Sequence, residues 1–285
     1  MDTLKLDLWT FDVGAVMANP AACAECVLER VHASWSGGAD LVAFPELMWM
    51  TLERFVDGPD KAAGVARLFW DTLWPDLSKS LHHPDKAVVL GSVPFLDAGG
   101  MLRNRAPILS EGRVIHQDKI HLTPWENAFH GGGPLHIWTY KKLRVATIIC
   151  LDIEIPELSA ALRGRNVDLI LVPSATDNLL GVQRVGRCAS ARAVELGCHV
   201  GVCQLVGRAA SELIDDNIGR LSLYSPSQSS FAAIDRQDES IIFHEGFHRR
   251  SFTLDMEKIA AARANSGETD PSKILPGAPV VTDVE

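Results

Sequence analysis

No apolar run in the 285-residue chain approaches the roughly 20 residues that a membrane-crossing helix needs. The opening, MDTLKLDLWTFD, mixes acid and base and lacks the basic start and apolar block of a secretory leader. Cysteine is sparse: six residues do not make a disulfide scaffold, and most sit in apolar or helix-like sequence, as reduced cytosolic cysteines do. A soluble, cytoplasmic protein is the expectation. Basic residues are outnumbered 27 to 36, a net charge of −9. Such a surface repels phosphate backbones and anionic lipid, so neither a nucleic acid nor a membrane is expected as a partner. No G-x-S-x-G elbow accompanies His130-Gly131-Gly132-Gly133, so that run reads as a connecting loop rather than a serine-esterase oxyanion loop. The ten histidines give no H-x-x-x-H spacing on a helix, which disfavours a metallohydrolase.

Apolar residues make up 47% of the chain, ample for a buried core. No internal repeat or low-complexity linker divides it. Leu4, Leu6 and Leu8 alternate with polar neighbours, as in a half-buried strand. Residues 20–35 follow helical spacing behind Pro20, Gly37 and Gly38 end that helix, and 39–44 reads as a buried strand. A helix is expected within 60–82. Strands follow over 87–93, 104–109 and 114–117, with Gly99-Gly100 and Glu111-Gly112 as turns of a meander. Further on come a strand over 143–151, a helix from Pro156 to near Gly164, a strand over 167–172, a helix over 182–196 and a strand over 199–206. Alternating strands and helices beside consecutive strands predict an α/β or α+β layered domain. One domain is expected over 1–269, with residues 270–285 as an extended tail carrying no periodicity.

Cys23-Ala24-Glu25-Cys26 lies inside the first helix pattern and lacks a second ligand pair of zinc-site spacing, so it reads as core. Three other segments stand out together. Leu41 to Phe44 is an apolar strand that Pro45 ends, and Glu46 follows at its carboxyl end, where open α/β sheets place chemistry. Lys119 also follows a strand, and Glu126 lies seven residues on in an aromatic loop. Cys150 closes an apolar strand ahead of a proline-started helix, where exposed backbone N–H groups stabilise a thiolate.

Taken together, Phe44-Pro45-Glu46, Lys119-Ile120-His121-Leu122 and Cys150-Leu151-Asp152-Ile153-Glu154-Ile155-Pro156-Glu157 resemble the carbon–nitrogen hydrolase (nitrilase) superfamily. Leu171-Val172-Pro173-Ser174-Ala175 and the helix over 183–198 are also similar to it, and the resemblance covers most of residues 4–255. It implies an α-β-β-α sandwich, a homodimer or larger homo-oligomer, hydrolysis of a small-molecule amide-type substrate, and no metal or organic cofactor. It also implies that Glu46 is the general base, Lys119 the electrostatic stabiliser and Cys150 the nucleophile. Glu126 matches a second glutamate that orients substrate or water. Leu151, through its backbone N–H, His121, in support of the lysine loop, and Ala175 with Thr176 complete the expected pocket.

Departures from the family's patterns narrow the substrate. Nitrilases follow the cysteine with a tryptophan-glutamate pair; this chain has Leu151-Asp152, which is more similar to the amidase and carbamoylase branches, although Leu151 departs from the tyrosine that often follows the cysteine in small-amide hydrolases. Hydrolases of D-carbamoyl amino acids carry arginines where this chain has Ile153 and Glu154, which reverses the charge that would hold a substrate carboxylate. A neutral or mildly polar carboxamide is the expectation. A nitrilase, an N-carbamoyl hydrolase and a non-catalytic binding subunit are the alternatives.

Overall fold

The computed structural model describes residues 2–211 and 213–264, so the tail expected from Asp270 lies outside the described residues. The alternating leucines form β1 (Thr3–Trp9), followed by the short β2 (Phe11–Asp12). Helix α1 (Pro20–Ser36) begins where the Asn19 side chain accepts from the Ala22 N–H, with Pro20 taking a position that needs no donor. Strand β3 (Leu41–Phe44) is buried along its whole length. The helix expected within 60–82 is a single run that changes pitch, with α2 (Lys61–Arg67), a π-helical stretch over Leu68–Leu73, and α3 (Trp74–Ser80).

The strand expected over 87–93 is two, β4 (Ala87–Leu90) and β5 (Val93–Leu96). Gly91 breaks it at φ +62, and a Cβ there would lie 2.0 Å from the Pro45 carbonyl oxygen. Only glycine lets this turn sit against the backbone leading into Glu46. Next come β6 (Leu102–Ser110), β7 (Arg113–Asp118), β8 (Ile137–Tyr140) and β9 (Leu143–Thr147). Strand β9 stops short of the expected 151, because the backbone turns at Cys150 into a 3₁₀ turn over Cys150–Glu154. Helix α4 (Pro156–Leu162) and β10 (Leu169–Ser174) follow as expected. Helix α5 (Leu179–Leu196) starts earlier than 182, because Asn178 caps it by accepting from Gly181 N–H. The chain continues through β11 (His199–Arg208), β12 (Asp216–Asn217), β13 (Leu221–Tyr224), β14 (Gln237–Glu239), β15 (Arg249–Asp255) and α6 (Met256–Ala264).

One sheet has the order β15-β1-β3-β4-β6-β5, with β7 on β6; the other has β14-β13-β11-β10-β9-β8, with β2 and β12 on β11. Three apolar layers hold them. Leu41 and Ala43 of β3 meet Leu169 and Leu171 of β10 between the sheets. Val42 and Phe44 point the other way, into the layer that contains Val27 and Val31 of α1. Ile170 and Val172 likewise face Val185 and Ala189 of α5. Period-two alternation on doubly covered strands therefore builds helix, sheet, sheet and helix in turn, the expected α-β-β-α sandwich.

One buried group makes this fold acid-sensitive. His199 opens β11 with 1% exposure, its Nδ1 2.9 Å from Ser225 Oγ, and burial pushes its pKa down to about 4 against the weaker pull of Asp255. The unfolded chain binds a proton below about 6.5 that the native imidazole refuses. Stability from this group is complete above that value and is lost as pH falls toward 4, by on the order of 3 kcal/mol. Urea melts at pH 7 and 4.5 are expected to show a smaller pH-dependent loss for His199→Gln than for the parent. An equal loss refutes the assignment.

Candidate functional site

Strands β3, β9 and β10 lie in parallel runs, and β7 returns to the direction of β4 through two antiparallel pairings with β6. Glu46, Lys119, Cys150 and Ala175 each come just after the carboxyl end of one of these strands, which brings residues remote in sequence to one end of the sandwich. A cavity of about 380 Å³ opens there, with Glu46, Lys119, Glu126 and Cys150 in its wall. That volume suits a small organic molecule.

The polar groups at its floor are buried and hydrogen-bonded to one another, with only Asn104 Oδ1 among them left without a partner among the described residues. Lys119 Nζ donates to Glu46 Oε1 at 2.7 Å and to Glu126 Oε2 at 2.6 Å. Asn104 Nδ2 bridges the same two carboxylates, at 2.9 Å to Glu46 and 3.1 Å to Glu126. The second oxygen of Glu46 accepts from Ala175 N–H at 2.9 Å. Glu126 is held further by the amide and hydroxyl of Thr123, at 2.9 and 3.0 Å. Cys150 Sγ accepts from Ser174 Oγ at 3.2 Å and lies 3.5 Å from the Ala175 carbonyl oxygen.

These environments drive the two carboxylates apart. Burial raises the Glu46 pKa above the ordinary 4.5, aided by the charge of Glu126, and Lys119 offsets this only in part. Burial opposes ionisation of Glu126 too, but the Lys119 charge and the hydrogen bonds from Lys119, Thr123 and Asn104 outweigh it and lower its pKa. Burial also works against the Lys119 ammonium. The charges of Glu46, Cys150 and Glu126 overcome it and hold that pKa above the usual lysine range. Burial and then the Glu46 carboxylate push the Cys150 thiol up to about 12. The resting site therefore keeps a protonated sulfur beside a carboxylate of raised proton affinity and a fixed ammonium. Such a trio can move a proton from sulfur to carboxylate as the sulfur bonds to an electrophile, without a standing thiolate.

The backbone aims the sulfur. Cys150 has φ +48, a left-handed conformation that a side-chain-bearing residue adopts only when its surroundings impose it, and Leu47, beside Glu46, has φ +53. Asp152, buried at the next turn, accepts from the backbone N–H groups of Ile120 and His121 at 2.9 and 2.8 Å, tying the Lys119 loop to the Cys150 turn.

The sequence-predicted residues divide by position. Leu151, Ala175 and Thr176 line the cavity with the four polar residues. His121 turns away from it, its Nδ1 2.9 Å from Asp152 Oδ1, and supports the lysine loop. The triple glycine approaches that loop as well, Gly132 N–H donating to the Ile120 carbonyl at 2.8 Å. Cys23 and Cys26 pack with the α1 layer.

Sequence reasoning missed Asn104, Ser174 as a partner of the sulfur, and Asp152 as a tie. The one available signal was Asn104 inside an otherwise regular strand pattern. It also passed over His244-Glu245-Gly246-Phe247-His248, whose spacing matches a metal motif. This segment is irregular rather than helical, and the His248 ring stacks on Phe243 at 3.9 Å.

Comparison with known proteins fits this arrangement. The chain is 26% identical to the "Probable hydrolase YhcX" of Bacillus subtilis over 68% of its own length and 39% of that protein's. It is 31% identical to a Pseudomonas "(R)-stereoselective amidase" over 58% of its length and 59% of the relative's. The matches thus span about two-fifths and three-fifths of those relatives. Among solved structures, Nit3 of Saccharomyces cerevisiae, a nitrilase-superfamily member, superposes with a TM-score of 0.70 at 19% identity, over 93% of this chain and 94% of that one. An amidase from Nesterenkonia sp. superposes with a TM-score of 0.68 at 21% identity, over 92% and 94%. The sequence pattern of the family described as carbon-nitrogen hydrolase matches residues 13–245, a span that includes every residue of the cavity floor. With that pattern matching over most of its length, the chain belongs to the carbon-nitrogen hydrolase family.

Proposed function

We propose that the protein is a cysteine-dependent amidase that releases ammonia or an amine from a small carboxamide through a thioester. The observation that carries this reading is the convergence of Glu46, Lys119 and Cys150 on one cavity. Glu46, with its raised proton affinity, takes the thiol proton as Sγ bonds to the carbonyl carbon. The carbonyl electrons move to oxygen, where Lys119 and the Leu151 N–H stabilise them. Each such donor is worth about 10²–10³ in rate. Collapse of that adduct breaks the C–N bond, and protonated Glu46 gives its proton to the leaving nitrogen. Glu46 then takes a proton from water as the hydroxide attacks the thioester; the acid departs and Cys150 regains its proton.

Asn104 and Glu126 hold Glu46 and Lys119 in register throughout. Amides suit this site because the ammonium sits where oxygen charge develops and the carboxylate can serve the leaving nitrogen. The Pseudomonas relative's description as an amidase, and the Nesterenkonia amidase variant solved with butyramide, support the same substrate class. A cytoplasmic homodimer or larger homo-oligomer belongs to the same proposal. Incubation with panels of amides, carbamoyl compounds and nitriles is expected to release ammonia from amides. Intact mass on a slow amide is expected to show an acyl adduct that Cys150→Ala lacks. Turnover confined to nitriles, or an adduct on another residue, overturns the reading.

A further inference from the structure

The proposed chemistry uses the cavity floor; the charges around its mouth address a different question. Asp177, Asp215 and Asp216 line the cavity and are exposed to solvent. The cations of this cavity are already committed. Lys119 is locked between two carboxylates, and Arg184, also in the wall, lies 3.2 Å from Glu154. Arg208 lies 3.4 Å from Asp216. Neither Asp177 nor Asp215 has a cation within ion-pair distance among the described residues.

Two further features have the same sense. The N-terminus of α5 beside Asp177 would be the natural seat for a substrate carboxylate, but Asn178 already caps it through Gly181 N–H. Trp125 shares the cavity wall and is 79% exposed, an indole face open to a ligand. An aromatic face and unpaired carboxylates in the wall of one cavity are the chemistry that holds an organic ammonium.

We infer that the site selects amides whose far end carries a positive charge, an ammonium or guanidinium held at the mouth by Asp177 and Asp215 against Trp125 while the carboxamide reaches Cys150. This rests on the amidase reading above and sharpens it from a neutral carboxamide to a cationic one. A cleft whose wall carries an excess of one sign of charge, as the acids here outnumber Lys119 and Arg184, concentrates the opposite sign and raises association rates by about tenfold or more. Because these acids are exposed, added salt screens the preference; the screening length falls from about 30 Å at 0.01 M to about 10 Å at 0.1 M.

The test uses ω-aminoalkanamides of increasing chain length, each against the straight-chain amide of equal heavy-atom count and the matching ω-carboxylate amide. At low salt, kcat/KM for the best amino-amide is expected to exceed that of its neutral isostere by about tenfold or more, with the carboxylate amide slowest. The ratio is expected to shrink as salt rises. In Asp177→Asn/Asp215→Asn the ratio is expected to fall toward one, and in Trp125→Leu by about two- to fivefold. Turnover of the neutral amide with no cationic preference, or a preference untouched in the double variant, overturns this inference and leaves the amidase reading standing. Failure of every amide to acylate Cys150 overturns the amidase reading itself.

Discussion

Cys150→Ala is expected to reduce amide turnover by about 10⁴–10⁶-fold while leaving the protein folded. The range is that of breaking a unit in which nucleophile and base act together. Nothing else at the cavity floor substitutes for the sulfur. Ser174 Oγ donates to Cys150 Sγ and has no carboxylate partner among the described residues. Stability is expected to hold or rise. The thiol is buried against a carboxylate that opposes its ionisation, so the side chain is placed for reactivity more than for packing. Cys150→Ser is expected to be nearly as inactive, because a serine hydroxyl is far harder to deprotonate than a thiol in the same place. The measurements are steady-state ammonia release and a thermal melt of the same preparation. A Cys150→Ala variant that retains a tenth of parental turnover excludes nucleophilic catalysis by Cys150, whatever its melting temperature.

Much of this site was legible because its residues follow strands. Pro45 behind an apolar run announces a strand end, and Glu46 then has one place to be. Lys119 and Cys150 follow in the same way, and the motif spacing ties the three together. The layers were legible too, since Leu41 with Ala43 and Val42 with Phe44 divide by alternation between the inner and outer cores. What could not be read was whatever depends on contacts remote in sequence. Asn104 has its role only because β6 brings its side-chain amide within reach of both Glu46 and Glu126. Asp152 reads as one more acid beside the cysteine until its carboxylate is seen holding the Ile120 and His121 amides. Element boundaries shifted for local reasons: Gly91 splits a strand, and the left-handed backbone at Cys150 ends another early. The acidic mouth was hidden because Asp177 and the Asp215-Asp216 pair come from segments remote in sequence.

Lys119→Met is expected to be the most destabilising change at the site, by about 3–5 kcal/mol near neutral pH, as when one partner of a buried ion pair is removed. It leaves Glu46 and Glu126 buried, 2% and 4% exposed, facing one another with no cation between them. Two carboxylates in that position cannot both stay ionised, so the pair takes up a proton whose folded-state pKa lies well above the ordinary 4.5. Linkage then fixes the pH dependence. The folded variant binds more protons than the unfolded chain, so the cost of the substitution is smallest below about pH 4.5 and grows as pH rises through the pair's folded pKa. The difference between parent and variant in urea midpoints should therefore narrow steadily from pH 8 to pH 5. A second substitution separates stability from chemistry. Lys119→Met/Glu126→Gln removes one of the two opposed charges and keeps a hydrogen-bonding side chain beside Asn104, so it is expected to recover much of the lost stability. Turnover is not expected to return, because the ammonium that meets the developing oxygen charge is still missing. If the double variant regains activity along with stability, Lys119 is a structural tie between two acids and its part in the reaction must be reassigned.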